Sequence, residues 1–227
     1  ESIILDNLIL EENASWAGGG VAVGYSEGVT IKNSEIRNNS QVLFGAGIYV
    51  EFSNAILSNL EIYGNEAGLM GGGIAIYQGS ATFENINIFN NLSFNYGGGM
   101  VINDVDPIMA NVRIFNNISF AYGPGLMLEN SNPLFSNEDR CSIFNNSFNL
   151  SYQDSLMRSD DLNRALGADL YNLSSTGELI SVVLDTFSVI VPTEYYATPL
   201  NNFIFDIQHG IIPQVSGNVY VSPFGDD

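Results

Sequence analysis

Residues 65–91 read NEAGLMGGGIAIYQGSATFENINIFNN, and this stretch starts and ends on an asparagine of a column that repeats every 26 residues. That column comprises Asn13, Asn39, Asn65, Asn91 and Asn117. A second asparagine column with the same spacing comprises Asn7, Asn33, Asn59, Asn85, Asn111 and Asn137. A glycine triplet, Gly71-Gly72-Gly73 in this copy, returns as Gly18-Gly19-Gly20 and Gly97-Gly98-Gly99, and with a changed middle residue as Gly45-Ala46-Gly47, displaced by one residue, and Gly123-Pro124-Gly125. Three markers in one register indicate a stacked array of similar units.

Between the markers the apolar residues alternate with a period of two, as in Ile86-Asn87-Ile88, which predicts strands rather than helices. A short unit of this kind cannot bury its own apolar face, but turns stacked about 4.8 Å apart close a continuous core. The expected fold is therefore all-β, a right-handed parallel β-helix of about five to six coils over residues 2–175 with a β-rich C-terminal unit. A propeller blade would need a longer repeat, and a leucine-rich repeat would show a helical half.

The repeat fades toward the C-terminus, which suggests a domain organisation. We expect a β-helix over residues 1–177, interrupted by an insertion at about 147–166, whose sequence is polar and breaks the period. Residues 178–227 are then expected to form a β-rich cap or small domain that leads to a further domain. The chain begins at Glu1 directly within an apolar strand pattern, so we also expect it to be a segment of a longer protein.

Composition excludes several classes of partner. The 227 residues include six basic and 25 acidic side chains, and a net charge of −19 would repel a phosphate backbone, so nucleic acid is not expected. Apolar runs such as residues 180–184 are far shorter than a membrane helix, so direct membrane insertion is not expected either. The single cysteine, Cys141, excludes internal disulfides and multi-cysteine zinc sites. We expect neither a metal nor a cofactor.

Two repeat copies carry a family resemblance. Asn65-Glu66-Ala67 followed by Gly71-Gly72-Gly73-Ile74, and Asn13-Ala14-Ser15 followed by Gly18-Gly19-Gly20-Val21, resemble right-handed β-helix repeats of the pectate-lyase-like superfamily. They are most similar to bacterial surface proteins and to the passenger repeats of polymorphic outer-membrane proteins. The resemblance covers about residues 1–175. It implies the coil but not an activity, because that superfamily includes lyases, hydrolases, adhesins and structural shafts.

The asparagine columns are expected to be structural. An amide at a turn tolerates the left-handed conformation and can stack on the amide of the next coil. Beside them runs an aromatic column, Tyr63, Phe89 and Phe115, which Phe144 extends. If it points outward, this column is a candidate strip for binding sugars or a partner; if it points inward, it is part of the core.

Carbohydrate-cleaving β-helices hold carboxylates and a base in one surface groove, and hydrolysis by paired carboxyls needs them roughly 5 to 9.5 Å apart. The best local candidates are Asp104 and Asp106 with Arg113, and the pairs Glu35 with Glu61 and Asp104 with Glu129. An acid-rich repetitive surface produces such pairs by accident, so we interpret them as solvated charges and assign no catalytic residue. The lone His209 and Cys141 are expected to be a turn or packing residue and a buried thiol, respectively.

These observations predict a non-catalytic structural or adhesion segment, located extracellularly or at the cell surface. Its expected partners are other copies of itself, joined end to end through exposed strand edges, or cell-surface glycans. The alternative is a polysaccharide lyase or glycoside hydrolase that acts on acidic glycans.

Overall fold

The computed structural model describes residues 3–149, 166–174 and 177–213. These residues form an all-β solenoid, apart from one 3-10 turn at Leu200–Asn202. The strands are β1 (Ile3–Asp6), β2 (Ile9–Glu11), β3 (Ala14–Ser15), β4 (Val21–Gly24), β5 (Val29–Arg37), β6 (Ser40–Gln41), β7 (Ile48–Tyr63), β8 (Glu66–Ala67), β9 (Ile74–Phe89), β10 (Leu92–Ser93), β11 (Met100–Asn103), β12 (Ile108–Phe115), β13 (Ile118–Ser119), β14 (Leu126–Glu129), β15 (Leu134–Phe135), β16 (Cys141–Phe144), β17 (Ser147–Phe148), β18 (Leu170–Asn172), β19 (Ile180–Phe187), β20 (Ala197–Thr198) and β21 (Phe203–Gly210).

Each coil has four sides. Face 1 contains β1 and the residues below it in later coils, such as 29–32 and 55–58; face 2 contains β2 and, for example, 61–63. Face 3 is the column of two-residue strands from β3 to β17. Face 4 contains β4, the N-terminal parts of β7 and β9, β11, β14 and β18.

Every strand pairing between coils is parallel, and the register follows the sequence repeat. Ile36 pairs with Ile62, Ile62 with Ile88 and Ile88 with Ile114, and each of these side chains is fully buried. Alternate residues point inward, so the isoleucine, leucine and valine columns form one continuous core. The predicted all-β parallel solenoid is confirmed.

The glycine triplets are required by close backbone packing. A Cβ on Gly72 would lie 2.4 Å from the carbonyl oxygen of Gly98 and 2.5 Å from that of Leu92, which no side chain tolerates. Gly71 has φ of +67°, a left-handed conformation that glycine adopts without strain. The triplets therefore allow the chain to turn tightly from face 3 into face 4.

Two features differ from the sequence-based expectations. The pairing offset rises from 26 residues at Met109 and Phe135 to 29 at Arg113 and Ser142, so three extra residues lie in the loop around 136–140. The solenoid has about seven turns, more than the expected five to six, because the strands after residue 178 continue it. β19 pairs in parallel with β16, β21 with β19, and β20 with β18. Most of the expected insertion lies outside the described residues, and so does the chain beyond residue 213.

Candidate functional site

A ladder of asparagine side chains runs through the interior between faces 2 and 3. The Oδ1 atom of Asn91 accepts hydrogen bonds from the backbone N–H (3.0 Å) and the Nδ2 (2.9 Å) of Asn65. Its own Nδ2 donates to Oδ1 of Asn117 (3.1 Å) and to the carbonyl oxygen of Ile62 (2.9 Å). Asn39, Asn65 and Asn117 repeat this pattern, and Asn13 donates to Asn39 at the first coil. Because each buried amide is fully hydrogen-bonded, the ladder fixes the register of successive coils.

The ladder continues for two more steps that the sequence spacing did not reveal. Asn117 donates to Oδ1 of Asn146, which lies 29 residues later because of the three extra residues before it. Asn146 in turn donates from its backbone N–H (3.2 Å) and its Nδ2 (2.9 Å) to Oδ1 of Asp169. Asp169 does not belong to the asparagine column of the sequence. It follows Gly167-Ala168 and aligns with Gly125, the third residue of the glycine triplet in the preceding coil.

Asp169 is fully buried, and its Oδ2 atom makes no hydrogen bond with any residue of the described ranges. Burial raises the pKa of this carboxyl to about 7, and the neighbouring Ser188 and Asn146 oppose that rise only in part. The ladder of neutral amides therefore ends on a group that ionises near neutral pH.

The second asparagine column forms an exposed ladder at the turn between faces 1 and 2. Nδ2 of Asn59 donates to Asn33 (3.0 Å), Asn85 to Asn59 (3.2 Å), and Asn111 to Asn85 (2.8 Å). These four asparagines have φ between 48° and 55°, the left-handed region that asparagine tolerates.

Two members expected in this column lie outside the ladder. Asn7 has the left-handed backbone, but Asp6 takes its place as the acceptor for Asn33 (2.8 Å). Asn137 does not stack on Asn111, because the three extra residues shift it; the backbone N–H of Asn111 instead donates to the carbonyl oxygen of Asp139. The exposed ladder of side chains therefore runs from Asp6 to Asn111 and includes neither Asn7 nor Asn137.

The aromatic column Tyr63, Phe89, Phe115 and Phe144 points outward from face 2 and is half-buried. Successive ring centroids are 4.9, 5.1 and 5.3 Å apart, with interplanar angles of 13°, 8° and 11°. Each inner ring is thus covered on both faces by its neighbours, and only ring edges meet the solvent. A sugar ring stacks on an aromatic face, whereas these rings use their inner faces for coil-to-coil stacking; a ligand strip along Tyr63, Phe89 and Phe115 stays a prediction.

The structure does not bring together the first set of candidate catalytic residues. Asp104 and Asp106 lie at the turn between β11 and β12. Arg113 lies beyond the next turn on face 2, with its Cζ 5.3 Å from the ring centroid of Phe115. Among the described residues, no group of three or more His, Cys, Asp or Glu side chains is arranged to hold a metal ion.

The paired carboxylates are engaged by their own neighbours. Glu35 and Glu61 are partners in register on face 2. Glu61 accepts a hydrogen bond from Asn87 (2.6 Å), whereas Glu35 accepts one from Tyr63 (3.2 Å) and lies 3.3 Å from Arg37. Glu129 accepts a hydrogen bond from Asn103, and Asp104 is 3.5 Å from Nε2 of Gln78. These contacts tie adjacent coils together along the surface.

His209 and Cys141 lie apart from these acids. His209 is exposed on β21, with Nδ1 3.4 Å from Oδ1 of Asp185. Cys141 is buried on β16, and burial raises the pKa of its thiol to about 12, so it is not a nucleophile at neutral pH. Cys141 is therefore a buried thiol, as expected.

The stacked parallel coils and their internal amide ladder define a β-solenoid repeat protein. A family model described as a right handed beta helix region matches residues 2–163, more than half of the chain, and the chain belongs to that family. The suspected membership of the right-handed β-helix repeat proteins is confirmed. Neither the curated proteins nor the solved structures include a match to this chain. The described residues contain no helix with the length and apolar character needed to cross a membrane.

Proposed function

We propose that this chain is a non-catalytic structural and adhesion segment, located extracellularly or at the cell surface, within a longer repeat protein. The observation that carries the proposal is the use of the polar side chains. The buried amides, surface amides and surface carboxylates of the chain form hydrogen bonds with side chains at the same column position of the adjacent coil. They do not converge on one groove. The resemblance to bacterial surface proteins supports the location.

The rival function, cleavage of acidic glycans, is tested directly by turnover. The 227-residue protein is incubated with pectin, polygalacturonate and alginate, and released unsaturated products and reducing ends are measured over hours. We expect no release above a heat-denatured sample. Turnover that disappears in Asp104→Asn, Asp106→Asn or Arg113→Gln, but not in the exposed control Asp139→Asn, would overturn the structural proposal.

End-to-end association of the segment is the second part of the proposal. Leu5 and Leu10 face the interior of the first described coil but are only half-buried, whereas Ile31 and Ile36 in the next coil are fully buried. At the other end, Phe205 and Ile207 on β21 are half-buried as well. Apolar interior residues beside strand edges that pair with no further strand of the described residues favour stacking on a second copy.

Sedimentation velocity over a hundredfold range of protein concentration tests this association. We expect the sedimentation coefficient to rise with concentration for the unmodified segment and to stay at the monomer value for Leu10→Lys. Ile56→Lys is the matched control, because Ile56 is 51% exposed on the outside of face 1, away from the coil ends. A monomer at all concentrations, or equal effects of the two variants, would refute end-to-end stacking.

A further inference from the structure

The outer surface of face 1 carries a column of aliphatic and threonine side chains. Its members pair in register from coil to coil: Thr30, Ile56, Thr82, Ile108 and Leu134. Each lies between two buried residues and therefore points outward. Ile56, Ile108 and Leu134 are 51%, 48% and 65% exposed, although none of them lies in the first or last described coil. Exposed aliphatic side chains in one line, unlike singly scattered ones, mark an interaction site.

A groove of about 360 Å³ runs beside this column. Its lining residues include Thr30, Ile56, Thr82, Gly28, Asn54 and Ser80. The far wall is low because Gly28 has no side chain and Ser80 is short, with its Oγ donating to Oδ1 of Asn54 at 2.9 Å. A second groove of about 310 Å³ lies beside Leu134 and Leu179. Face 1 is therefore channelled along the solenoid axis.

The column alternates between longer and shorter side chains. Successive coils lie about 4.8 Å apart, so Ile56 and Ile108 stand about 9.6 Å apart with Thr82 between them. Thr30 and Thr82 are low points with the same spacing, on either side of Ile56. A side chain from another molecule has room over each threonine.

This spacing discriminates among the regular structures that a partner can offer. On one face of an α-helix, residues seven apart recur about every 10.5 Å, close to the spacing of the threonines. On an extended strand, the side chains of one face recur about every 6.6 Å and fall out of step within two coils. A second solenoid has the matching period, but it would bring two surfaces of the same chain, with net charge −19, face to face.

Acidic side chains flank the column. Glu84 and Asp106 are exposed on opposite sides of it, and Glu27 lines the larger groove. In the described part of the chain, Lys32 is the one basic residue of this surface, and it pairs with Asp6 at 3.4 Å. The flanks of the column therefore complement a basic partner.

We propose that face 1 binds an amphipathic helix of a partner protein. The helix lies along the solenoid axis, with aliphatic residues at positions i and i+7 over Thr30 and Thr82 and with lysine or arginine on its flanks. The proposal names a partner for the proposed adhesion role and rests on that role. It is measured as peptide binding, so its failure is distinguishable from a failure of the turnover or sedimentation tests.

The first experiment measures binding of synthetic peptides of about 18 residues, or five helical turns, to the 227-residue protein by fluorescence anisotropy. The striped peptide has leucines along one helical face and lysines beside them. The spread peptide has the same composition with its leucines distributed around the helix, and the strand peptide alternates leucine with lysine. We expect a dissociation constant on the order of 50 μM for the striped peptide and at least about tenfold weaker binding of the other two.

The two comparison peptides make the proposal refutable. Because the striped and spread peptides carry the same charge, equal binding of the two would show that only electrostatic attraction is measured. Tighter binding of the strand peptide would show that the face receives an extended chain. Either result would overturn the helix assignment.

Variants then locate the site. Ile56→Lys places a charge in the middle of the column and should weaken binding of the striped peptide at least about tenfold. Val42→Lys is the matched control, because Val42 is also 51% exposed but follows β6 on face 3. Glu84→Gln should weaken binding about two- to fivefold, whereas Glu66→Gln on face 3 should leave it unchanged.

All four variants replace exposed side chains and should keep the melting temperature of the unmodified protein. Equal losses in Ile56→Lys and Val42→Lys would overturn the assignment to face 1. Loss of self-association in Ile56→Lys, measured by sedimentation, would show that a second copy occupies this face and would equally overturn the proposal.

Discussion

Replacing Asp169 by asparagine should make the solenoid more stable, and the gain should grow with pH. The side chain is fully buried at the end of the amide ladder, where Oδ1 accepts two hydrogen bonds from Asn146. An asparagine keeps the same shape and the same acceptor, and it removes the carboxyl that would otherwise ionise in the interior. The variant therefore isolates the free energy of burying one titratable group.

The magnitude follows from the pKa. Burial raises the pKa of Asp169 to about 7 in the folded protein, whereas an unfolded aspartate titrates at about 3.9. Below pH 4 both states hold the proton and the carboxyl has no pH-dependent effect. Between about pH 4 and pH 7 only the unfolded state releases it, so stability falls by about 1.4 kcal/mol per pH unit. The accumulated loss is about 1.5 kcal/mol at pH 5 and about 4 kcal/mol at pH 8.

Urea unfolding followed by circular dichroism, from pH 5 to pH 8.5, measures the effect as the difference between Asp169→Asn and the unmodified protein. We expect this difference to widen by about 2.5 kcal/mol between pH 5 and pH 8. Asp104→Asn is the control for the loss of one aspartate, because Asp104 is exposed. A difference for Asp169→Asn that does not change with pH would refute the buried, neutral carboxyl at the end of the ladder.

Three further substitutions test the ladders and the close packing by the same unfolding assay. Asn91→Ala leaves buried partners in two coils without hydrogen bonds and should lower the free energy of unfolding by about 3–5 kcal/mol. Asn85→Ala on the exposed ladder should lower it by about 1 kcal/mol. Equal losses would contradict the interior ladder. Gly72→Ala should destabilise by at least about 2 kcal/mol because its Cβ has no space, while Gly28→Ala, with nothing within 4 Å, should stay within about 0.5 kcal/mol; a tolerated Gly72→Ala would disprove the backbone approach. Phe89→Leu removes two ring stacks and should lower the free energy of unfolding by about 1–2 kcal/mol. An unchanged free energy would show that ring stacking does not stabilise the contact between coils.

Most of the fold was predictable from the spacing of a few residue types. In a parallel solenoid, residues one repeat apart become neighbours in space, so a column in the sequence is also a contact in the structure. Ile36, Ile62 and Ile88 were aligned by sequence alone, and they pair in that register. The inner asparagine ladder followed the same logic, because a buried amide needs hydrogen-bond partners and an identical amide one coil away supplies them.

The remainder depends on departures from the repeat, which periodicity cannot reveal. Three additional residues around 136–140 remove Asn137 from the exposed ladder and shift the inner ladder to Asn146. Asp169 reaches the ladder from the glycine column, so no asparagine spacing pointed to it. The direction of the ring faces at Phe89 was also beyond sequence reasoning, since stacked and open rings leave the same pattern of aromatic residues.

The chain itself closes two of these departures, at the loop around 136–140 and at Asp169. A regular column satisfies itself, because each side chain finds its partner in the next coil and leaves little for a ligand. At the loop around 136–140, Arg140 donates to Asp206 and to the carbonyl oxygen of Leu184, so that irregularity is closed by the chain itself. Asp169 closes the inner ladder and is not accessible.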